Sequence, residues 1–506
     1  MKKVFALLLS IALIFSVIGC SKPNEVKAPA PTSETSETEN QSKETKENEE
    51  KSSEPVTLRM VMKDLSPSNP GDLKYVEELE KSLAKQEIKV KFEIVETPSG
   101  NYAEKLNLLL LGGDIPDIIY FQGGDKQIAE QGILEDLTPY IEKSQIVQKA
   151  MQLHNKKRMK NYPYLIWLKP IKTKAPVVRR DWFEASEMGK TLLEDPSIDN
   201  YYKFLKELKE KNFDGNGLPK YGVTVSGKIL ELDSIFNQAF GITGAWVKNS
   251  EGKFIYGKVS EYEKEKLAFY QKLYKENILD PEYLTKKWDT KEKAFYDNNV
   301  GMIIGSTGKV IDIYDGKMKK TNGEEASLVV LPPAKGKGQG YLPIDVTKES
   351  RGVAISSLSP NKEIAFKVIE FLASNEGQML DRLGFEGEHF EVKDNKVHLT
   401  EKSQEWFAKF FEVYSWKPTV EIVTPLLSEP SLDSMAKAEE YYIEDVNFLI
   451  PEEYAASWDA MTNLYKEYTA DIITGKKSID DFDNFVKDWY EAGGKEITEY
   501  ANTVLK

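Results

Sequence analysis

The sequence predicts an α/β fold, because stretches with strand and helix periodicity alternate from residue 56 onward. Two stretches alternate apolar and other residues with a period of two: VTLRMVMK (Val56 to Lys63) and IKVKFEIV (Ile88 to Val95). Between them, YVEELEKSLAKQ (Tyr75 to Gln86) has the apolar spacing of a helix. A strand, helix, strand unit predicts two parallel strands joined by a right-handed crossover.

A further helix and strand follow this unit. NYAEKLNLLLLGG (Asn101 to Gly113) predicts a helix that begins after an N-cap asparagine and ends at a glycine pair. The next strand, DIIYF, leads into QGGD (Gln122 to Asp125). Ligands of open α/β sheets bind beyond the carboxyl ends of strands. We therefore expect Gln122 and Asp125 to offer hydrogen bonds to a ligand, although an ordinary glycine-rich connection explains the spacing equally well.

The first twenty residues predict a secretory signal peptide. Lys2 and Lys3 precede an apolar run from Val4 to Ile18, and Gly19 stands directly before Cys20. This run is shorter than the roughly 20 apolar residues of a transmembrane helix. The Val-Ile-Gly-Cys pattern resembles the lipobox of bacterial lipoproteins. The resemblance implies cleavage before Cys20 and acylation of its sulfur, with palmitate as an expected chain, which would anchor the protein to a membrane without spanning it.

Residues 21 to 55 predict a disordered stalk, because they are rich in Ser, Thr, Glu, Lys and Pro and have almost no bulky apolar residues. The chain carries 68 Lys and Arg against 82 Asp and Glu, a net charge of −14. This acidity argues against nucleic acid as a ligand. The single cysteine excludes an internal disulfide and a cysteine-ligated zinc site.

The body resembles the bacterial extracellular solute-binding proteins, the sugar-binding family that includes maltodextrin-binding protein. Six stretches carry the resemblance in the family's order, among them RRDWFEA, the LPPAKGKG loop and the SPNKEIAF helix. They span residues 112–141, 177–189, 293–308, 327–340, 352–390 and 472–502. The RRDW and FEGEHF pieces are similar to the long subgroup, which takes oligosaccharides and complex glycans and is related to maltodextrin- and alginate-oligosaccharide-binding proteins.

The resemblance implies a two-lobed, periplasmic-binding-protein-like fold whose lobes close about a hinge onto a ligand in the cleft between them. The first lobe is expected at 56–168 plus 325–380 and the second at 169–324 plus 381–506. The implied partners are an oligosaccharide and the permease subunits of an ABC importer. We expect a monomer on the outer face of the cell membrane of a Gram-positive bacterium.

A sugar site needs exposed aromatic rings beside carboxylates and amides, because sugars have apolar ring faces and hydroxyl edges. Trp246 follows glycines and precedes a polar turn, so we expect it to be an exposed platform. Trp416 is expected on a loop before Lys417 and Pro418. Trp406 lies in a pattern that predicts a core helix instead.

Carried over from the family, Gln122 and Asp125 occupy positions of polar ligand contacts, and Gly305-Ser306-Thr307 forms the matching loop of the second lobe. Relatives of the maltodextrin type have an Asn-Gly-Pro-Trp there. The absence of an aromatic beside Ser306 therefore disfavours stacking from this loop and a maltodextrin ligand. Tyr102 stands where the long subgroup often has Trp, so it is expected to face either the cleft or the core.

NFDGNGLPKYGV (Asn212 to Val223) resembles a calcium loop of the long subgroup, with Asn212, Asp214 and Asn216 at alternate positions. An EF-hand-like loop needs a bidentate Glu at its twelfth position. That position is Val223. A solvated turn is the better interpretation, and we expect no cofactor.

Two other functions are compatible with the residues. Glycoside hydrolases need only two suitably spaced carboxylates, so a secreted hydrolase is the alternative from a different class. A cell-wall glycan-binding lipoprotein without a transport role is the other. The three histidines have no metal-ligand spacing, and neither a nucleophile elbow nor a phosphate loop occurs. The family resemblance disfavours both alternatives, and we therefore predict a binding protein, not an enzyme.

Overall fold

The computed structural model describes residues 54–96, 101–213, 215, 217–227, 229–345 and 350–506. The predicted signal peptide, Cys20 and nearly all of the predicted stalk lie outside these residues. No helix within the described ranges is long and apolar enough to cross a bilayer.

The first sheet has four strands in the order β10-β3-β1-β2. Its strands are β1 Val56–Val61, β2 Val90–Ile94, β3 Ile118–Gln122 and β10 Arg351–Ile355. β1 is parallel to both β2 and β3, and β10 is antiparallel to β3. The predicted α/β class and the parallel pairing of the first two strands are thus confirmed.

The second sheet also has four strands, in the order β5-β8-β4-β9. Its strands are β4 Lys174–Arg179, β5 Tyr221–Val223, β8 Val300–Ser306 and β9 Leu328–Val330. β5 is parallel to β8, whereas β4 is antiparallel to β8 and to β9. The VGMIIG run of β8 is buried along its length, which explains why it lacks a polar face.

Two smaller sheets complete the strands of the described ranges. A hairpin pairs β6 Trp246–Lys248 with β7 Phe254–Tyr256. A three-stranded sheet contains β11 Phe390–Lys393, β12 Lys396–Leu399 and β13 Glu421–Ile422.

Helices cover the two larger sheets and build the carboxyl-terminal part of the chain. Those before β8 are α1 Pro70–Lys85, α2 Tyr102–Leu111, α3 Asp125–Glu130, α4 Thr138–Lys143, α5 Gln145–Ala150, α6 Leu153–Met159, α7 Arg180–Ala185, α8 Glu187–Glu194, α9 Ile198–Glu210, α10 Leu230–Phe240, α11 Glu261–Lys275 and α12 Trp288–Tyr296. Those after it are α13 Lys309–Asn322, α14 Lys362–Ala373, α15 Asn375–Leu383, α16 Glu429–Glu440, α17 Ala455–Thr474, α18 Asp481–Trp489 and α19 Lys495–Val504. A π-helical segment, Tyr490–Gly494, joins the last two.

The ends of α2 show how local chemistry sets its length. Gly113 has φ of +86°, the left-handed conformation expected of a glycine after a helix. Asn101 is the N-cap residue, but its own φ is +55° and its side chain caps no backbone N–H. The predicted side-chain cap at Asn101 is therefore wrong, although the helix begins where expected.

Each of the two larger sheets lies in its own hydrophobic core, and a smaller core covers the other face of the second sheet. The cores depart from the expected lobe boundaries at two places. β9 (Leu328–Val330) pairs with β4 of the second sheet, and Phe385, Phe410, Phe411 and Val413 join the first core. The division into lobes stays a prediction. By its packing, β9 belongs with the second sheet, and the segment from Phe385 to Val413 contributes to the first core.

Candidate functional site

A cavity of about 810 Å³ lies where strands of both large sheets end. Asp64, three residues beyond β1, contributes from the first sheet, and Thr307 and Gly308, directly after β8, contribute from the second. Residues 169–172, which lead into β4, also line it. The cavity thus occupies the position where α/β sheets bind ligands, at the carboxyl ends of their strands.

One wall of the cavity is a segment without regular structure, residues 406–418, that α15 holds in place. The carboxylate of Asp381, which is fully buried, accepts hydrogen bonds from the backbone N–H groups of Lys409 (2.7 Å) and Phe411 (2.9 Å). Gln378, one turn earlier and equally buried, accepts from the backbone N–H of Val413 (2.9 Å). Two polar side chains on one face of α15 therefore replace the backbone pairing that this wall lacks.

The wall that α15 holds presents aromatic rings to the cavity. Its aromatic lining residues are Trp406, Phe407, Tyr414 and Trp416. The indole of Trp406 is fixed by donating to the backbone carbonyl of Asp381 (2.8 Å), and Phe407 is 60% exposed. Flat, partly exposed rings of this kind pack against the apolar faces of sugars.

The same cavity contains a cluster of charges centred on Glu412. Its carboxylate lies 3.1 Å from the ammonium of Lys169 and 3.8 Å from that of Lys172. The guanidinium of Arg382 lies 4.8 Å from the ring centre of Trp416. Burial acts to raise the pKa of Glu412, but the positive field of Lys169, Lys172 and Arg382 outweighs it and holds that pKa below its ordinary value.

Two further cations line the cavity, and each has its own carboxylate. Lys409 pairs with Asp72 at 3.0 Å, and Lys309 at the start of α13 pairs with Asp312 at 2.7 Å. Both ion pairs therefore keep the chain's own charges neutralised at these two positions.

Of the six residues expected to contact a ligand, Trp416 lines the cavity. Ser306 is the last residue of β8, directly before the lining residue Thr307. Gln122 ends β3 opposite Arg351 and is half-buried. Asp125 is 2% exposed and accepts a hydrogen bond from the hydroxyl of Tyr164 (3.0 Å).

The QGGD stretch that contains Gln122 and Asp125 has a structural reason for its glycines. Gly124 has φ of +79°, and a Cβ there would stand 2.6 Å from the side-chain nitrogen of Asn107. That nitrogen instead donates to the carbonyl of Gly124 (3.0 Å). The glycine-rich connection therefore packs against α2, and its expected role in ligand approach stays a prediction.

Two of the expected aromatic contacts belong to the cores. The prediction that Trp246 is exposed is wrong: its ring is fully buried and stacks on Phe448 at 5.3 Å and on Trp458 at 6.4 Å. These partners lie some 200 residues away along the chain, so the local glycines and polar turn were misleading. Tyr102 is also core, 3% exposed, with its hydroxyl donating to the carbonyl of Tyr120 (2.8 Å).

The candidate calcium loop is only partly described. Asp214 and Asn216 lie outside the described residues. The side-chain oxygen of Asn212 accepts from the backbone N–H groups of Gly215 (2.9 Å) and Gly217 (3.3 Å), as in a tight turn. Val223, at the twelfth position, is a fully buried residue of β5. These residues do not supply the ligand set that an EF-hand-like site requires.

Sequence reasoning missed the charged residues of the cavity and misplaced Trp406. A helical pattern predicts Trp406 in a core helix, whereas the structure has a short 3₁₀ helix, Glu401–Glu405, and then irregular chain. The missed signal was the density of aromatic residues in WFAKFFEVYSW, interleaved with Lys409 and Glu412. Lys169, Lys172 and Arg382 come from distant segments and had no local signal.

The comparisons with known proteins agree on one family. A model of the family "Bacterial extracellular solute-binding protein" matches residues 68–379. Lipoprotein LipO of Bacillus subtilis is 24% identical over 488 residues, which cover 89% of this chain and 92% of LipO. The polygalacturonan/rhamnogalacturonan-binding protein YtcQ of the same organism is 21% identical over 446 residues, covering 82% of this chain and 85% of YtcQ.

The fold also matches solved structures. An HMO-binding, ABC-transporter-associated solute-binding protein from Bifidobacterium longum infantis superposes with a TM-score of 0.59 at 18% identity, covering 89% of this chain and 98% of that one. The likeness shows the shared two-lobed fold. The family match extends over well more than half of the chain, and the chain belongs to the bacterial extracellular solute-binding proteins.

Proposed function

We propose that this protein is the lipid-anchored substrate-binding component of an ABC importer and that it captures an oligosaccharide. The observation that carries the proposal is the cavity at the ends of β1 and β8, with its aromatic wall and its cluster of charged side chains. Its volume of about 810 Å³ suits a ligand of several sugar rings rather than one, since pockets for drug-sized ligands span about 300–1,000 Å³.

The two sides of the cavity give a physical basis for closure on the ligand. Trp406 and Trp416 pack against the first core, whereas Thr307 and Gly308 extend from β8 of the second sheet. A ligand favours a closed form only through contacts that exist when both sides reach it at once. A sugar held between these two groups of residues meets that condition.

Membrane attachment and transport are supported by the sequence and by the named relatives. The signal peptide pattern ends at Cys20, one relative is called a lipoprotein, and one structural neighbour is called ABC-transporter-associated. In this proposal the acylated Cys20 anchors a monomer to the outer face of the membrane of a Gram-positive bacterium, and the closed form delivers its sugar to permease subunits.

Binding is tested with the purified body, residues 54–506, and a panel of neutral and acidic oligosaccharides. A ligand selective for the native state raises the melting temperature by mass action, so a rise with the sugar recovered intact supports the proposal. The Trp416→Ala variant should reduce that rise. Shortened sugars would identify a hydrolase instead, and a panel without any stabilisation would contradict oligosaccharide binding.

The anchor and the transport role are tested in cells. A Cys20→Ala variant should leave the membrane fraction and collect in the medium. A strain lacking the protein should lose uptake of the labelled sugar, and the unaltered chain should restore it. Retained uptake in that strain would favour a glycan-binding role without transport.

A further inference from the structure

We infer that the oligosaccharide this protein takes is acidic and that its carboxylate groups are recognised by Lys169, Lys172 and Arg382. The inference rests on the proposed function and names the chemical class of the ligand in the same cavity. It follows from the balance of charges around the cavity, from the exposure of these charges and from the geometry of Arg382.

The charges that line the cavity are out of balance. Among the described lining residues, five are cationic, namely Lys169, Lys172, Lys309, Arg382 and Lys409, and two are acidic, namely Asp64 and Glu412. Lys309 pairs with Asp312 and Lys409 with Asp72, so two of the cations are neutralised. The other three interact with Glu412, and Asp64 is the second lining carboxylate, so one positive charge is left over in a chain whose net charge is −14.

Asp381 is also close to Arg382, but it does not restore the balance toward the cavity. It is fully buried, and its oxygens accept hydrogen bonds from the hydroxyl of Tyr75 and from the backbone N–H groups of residues 409–411. Burial raises the pKa of Asp381 against these hydrogen bonds. The carboxylate of Asp381 thus hydrogen-bonds the wall that α15 holds and is not directed toward the cavity.

The unbalanced cations are accessible to different degrees. The side chain of Lys172 is 52% exposed and that of Lys169 only 14%. Desolvation, together with the neighbouring charges of Lys169 and Arg351, lowers the pKa of Lys172. A bound anion would offset both effects, because it supplies the countercharge that water supplies poorly in a partly enclosed cavity. A neutral sugar supplies no such countercharge.

Arg382 gives the site a preference in shape as well as in charge. Its guanidinium stacks over one face of the Trp416 ring at 4.8 Å and donates to the carbonyl of Val413 (3.4 Å), so a planar donor is held against a flat apolar surface. A uronate ring has both complementary parts: an apolar face that stacks on an indole, and a carboxylate that a guanidinium binds through two parallel hydrogen bonds. Lys would replace the charge of Arg382 but not this planar geometry.

The decisive comparison is between an acid and its neutral ester. We would measure binding of a trimer of galacturonate, a trimer of mannuronate and the fully methyl-esterified form of each, by calorimetry at low and at high salt. The acids should bind at least about tenfold more tightly than the esters, because hydrogen bonds to charged groups are roughly twice as strong as neutral ones. Their advantage should shrink as salt screens the charges.

The residues are tested with Lys172→Gln and Arg382→Gln. Each should weaken binding of the acid more than binding of the ester and so reduce the preference for acid over ester. Lys126→Gln removes one positive charge at an exposed site, where the side chain is 79% exposed and outside the cavity, and should leave the preference intact. An Arg382→Lys variant should recover part of the affinity.

The outcomes separate this inference from the proposed function. Equal binding of acid and ester, or binding of neutral oligosaccharides alone, would overturn the acidic ligand class and leave oligosaccharide capture standing. An acid preference that survives in the Lys172→Gln, Arg382→Gln double variant would overturn the assignment of the residues. Failure of every oligosaccharide to bind would overturn both proposals.

Discussion

The core of the second sheet and the cavity are built from the same residue types, yet they use them differently. The core contains two lysines and two carboxylates, in the set Asp233, Lys258, Glu263 and Lys266. Lys266 lies 2.6 Å from Asp233 and 3.0 Å from Glu263, and all three side chains are at most 1% exposed. Lys258 lies 2.8 Å from Asp233. In the cavity, by contrast, three cations interact with one carboxylate, that of Glu412, and cations outnumber carboxylates among the lining residues.

In the proposed function, charge balance, more than residue type, separates scaffold from binding site in this molecule. A buried set with equal numbers of opposite charges is satisfied by itself, whereas removal of one member leaves an uncompensated buried charge. A partly exposed set with excess charge is solvated by water, and in the inference above it gains from a charged ligand. The aromatic residues follow the same division, with Trp246 enclosed by other rings and Trp416 open to the cavity.

The largest expected change in stability comes from replacing one of the two tryptophans by alanine. Trp246→Ala should lower the free energy of unfolding by about 3–5 kcal/mol, because it leaves a large void among stacked rings. Trp416→Ala should cost clearly less stability and should instead weaken ligand binding. Urea unfolding followed by circular dichroism measures the first quantity and calorimetry the second. Equal stability losses in the two variants would break the division between core and site.

The next largest change in stability is expected when a lysine of the core, but not a lysine of the cavity, is replaced by methionine. Lys266→Met should lower the free energy of unfolding by about 3 kcal/mol, at the lower end for a broken buried ion pair because Lys258 still neutralises part of the charge. Lys172→Met should change it by no more than about 0.5 kcal/mol, as for a surface position. Chemical unfolding of both variants tests this. A destabilised Lys172→Met variant would show that the cavity cations are structural.

A variant with a larger excess of positive charge in the cavity tests the role of these cations further. Glu412→Gln removes the shared carboxylate and should lower stability without ligand by about 1–2 kcal/mol, since Lys169 then lacks its charged partner. A galacturonate trimer should raise the melting temperature of this variant more than that of the unaltered chain, because the ligand now supplies the missing charge. The same or a smaller rise would count against an anion at this position.

The smallest expected effect is a pH dependence of stability that arises at His154, beside the lining residues 169–172. Burial lowers the pKa of His154, which donates to the carbonyl of Lys169 (3.1 Å), to about 4. The ordinary value is 6.5, so between these pH values the unfolded chain binds a proton that the folded chain does not. The contribution to stability is complete above pH 6.5 and is lost as pH falls toward 4.

This pH dependence is measurable with matched histidine variants. Between pH 7 and pH 5 we expect a loss of about 1–2 kcal/mol from His154 alone. A His154→Gln variant should show a correspondingly flatter profile in thermal unfolding. His398→Gln, on β12 of the small sheet, is the control and should keep the profile of the unaltered chain. Identical profiles for both variants would contradict the role of His154.

The sequence was informative where structure is local. The period-two pattern of Val56–Val61 predicts β1, and glycines after a helical run predict the end of α2. It was uninformative where structure depends on contacts between distant segments. The wall of residues 406–418 has its position because Gln378 and Asp381 bind its backbone, about 30 residues away in the chain, and a hydrogen bond of this kind leaves no periodic signal.

The candidate site was harder to predict than the fold for the same reason. Trp246 and Trp416 both follow turn-like residues, and local sequence does not show that Phe448 and Trp458 enclose only the first. The charge cluster combines residues 169 and 172 with 382 and 412. Its composition became visible only once the fold brought these segments together.

The placement of Lys169 and Lys172 has a consequence for how such a protein diversifies. Residue 166 bridges to β10 of the first sheet and residue 174 begins β4 of the second, so both lysines lie on a connection between the sheets. If these lysines recognise the ligand as inferred, substitutions there alter ligand recognition and the connection together. The wall of residues 406–418 is held by α15 and packs on the first core and on the core of the three-stranded sheet, so in the proposed function substitutions of its exposed aromatic residues can change which sugar is accepted without altering the connection. New specificities should therefore accumulate first on that wall, and the connection should be the slower of the two to evolve.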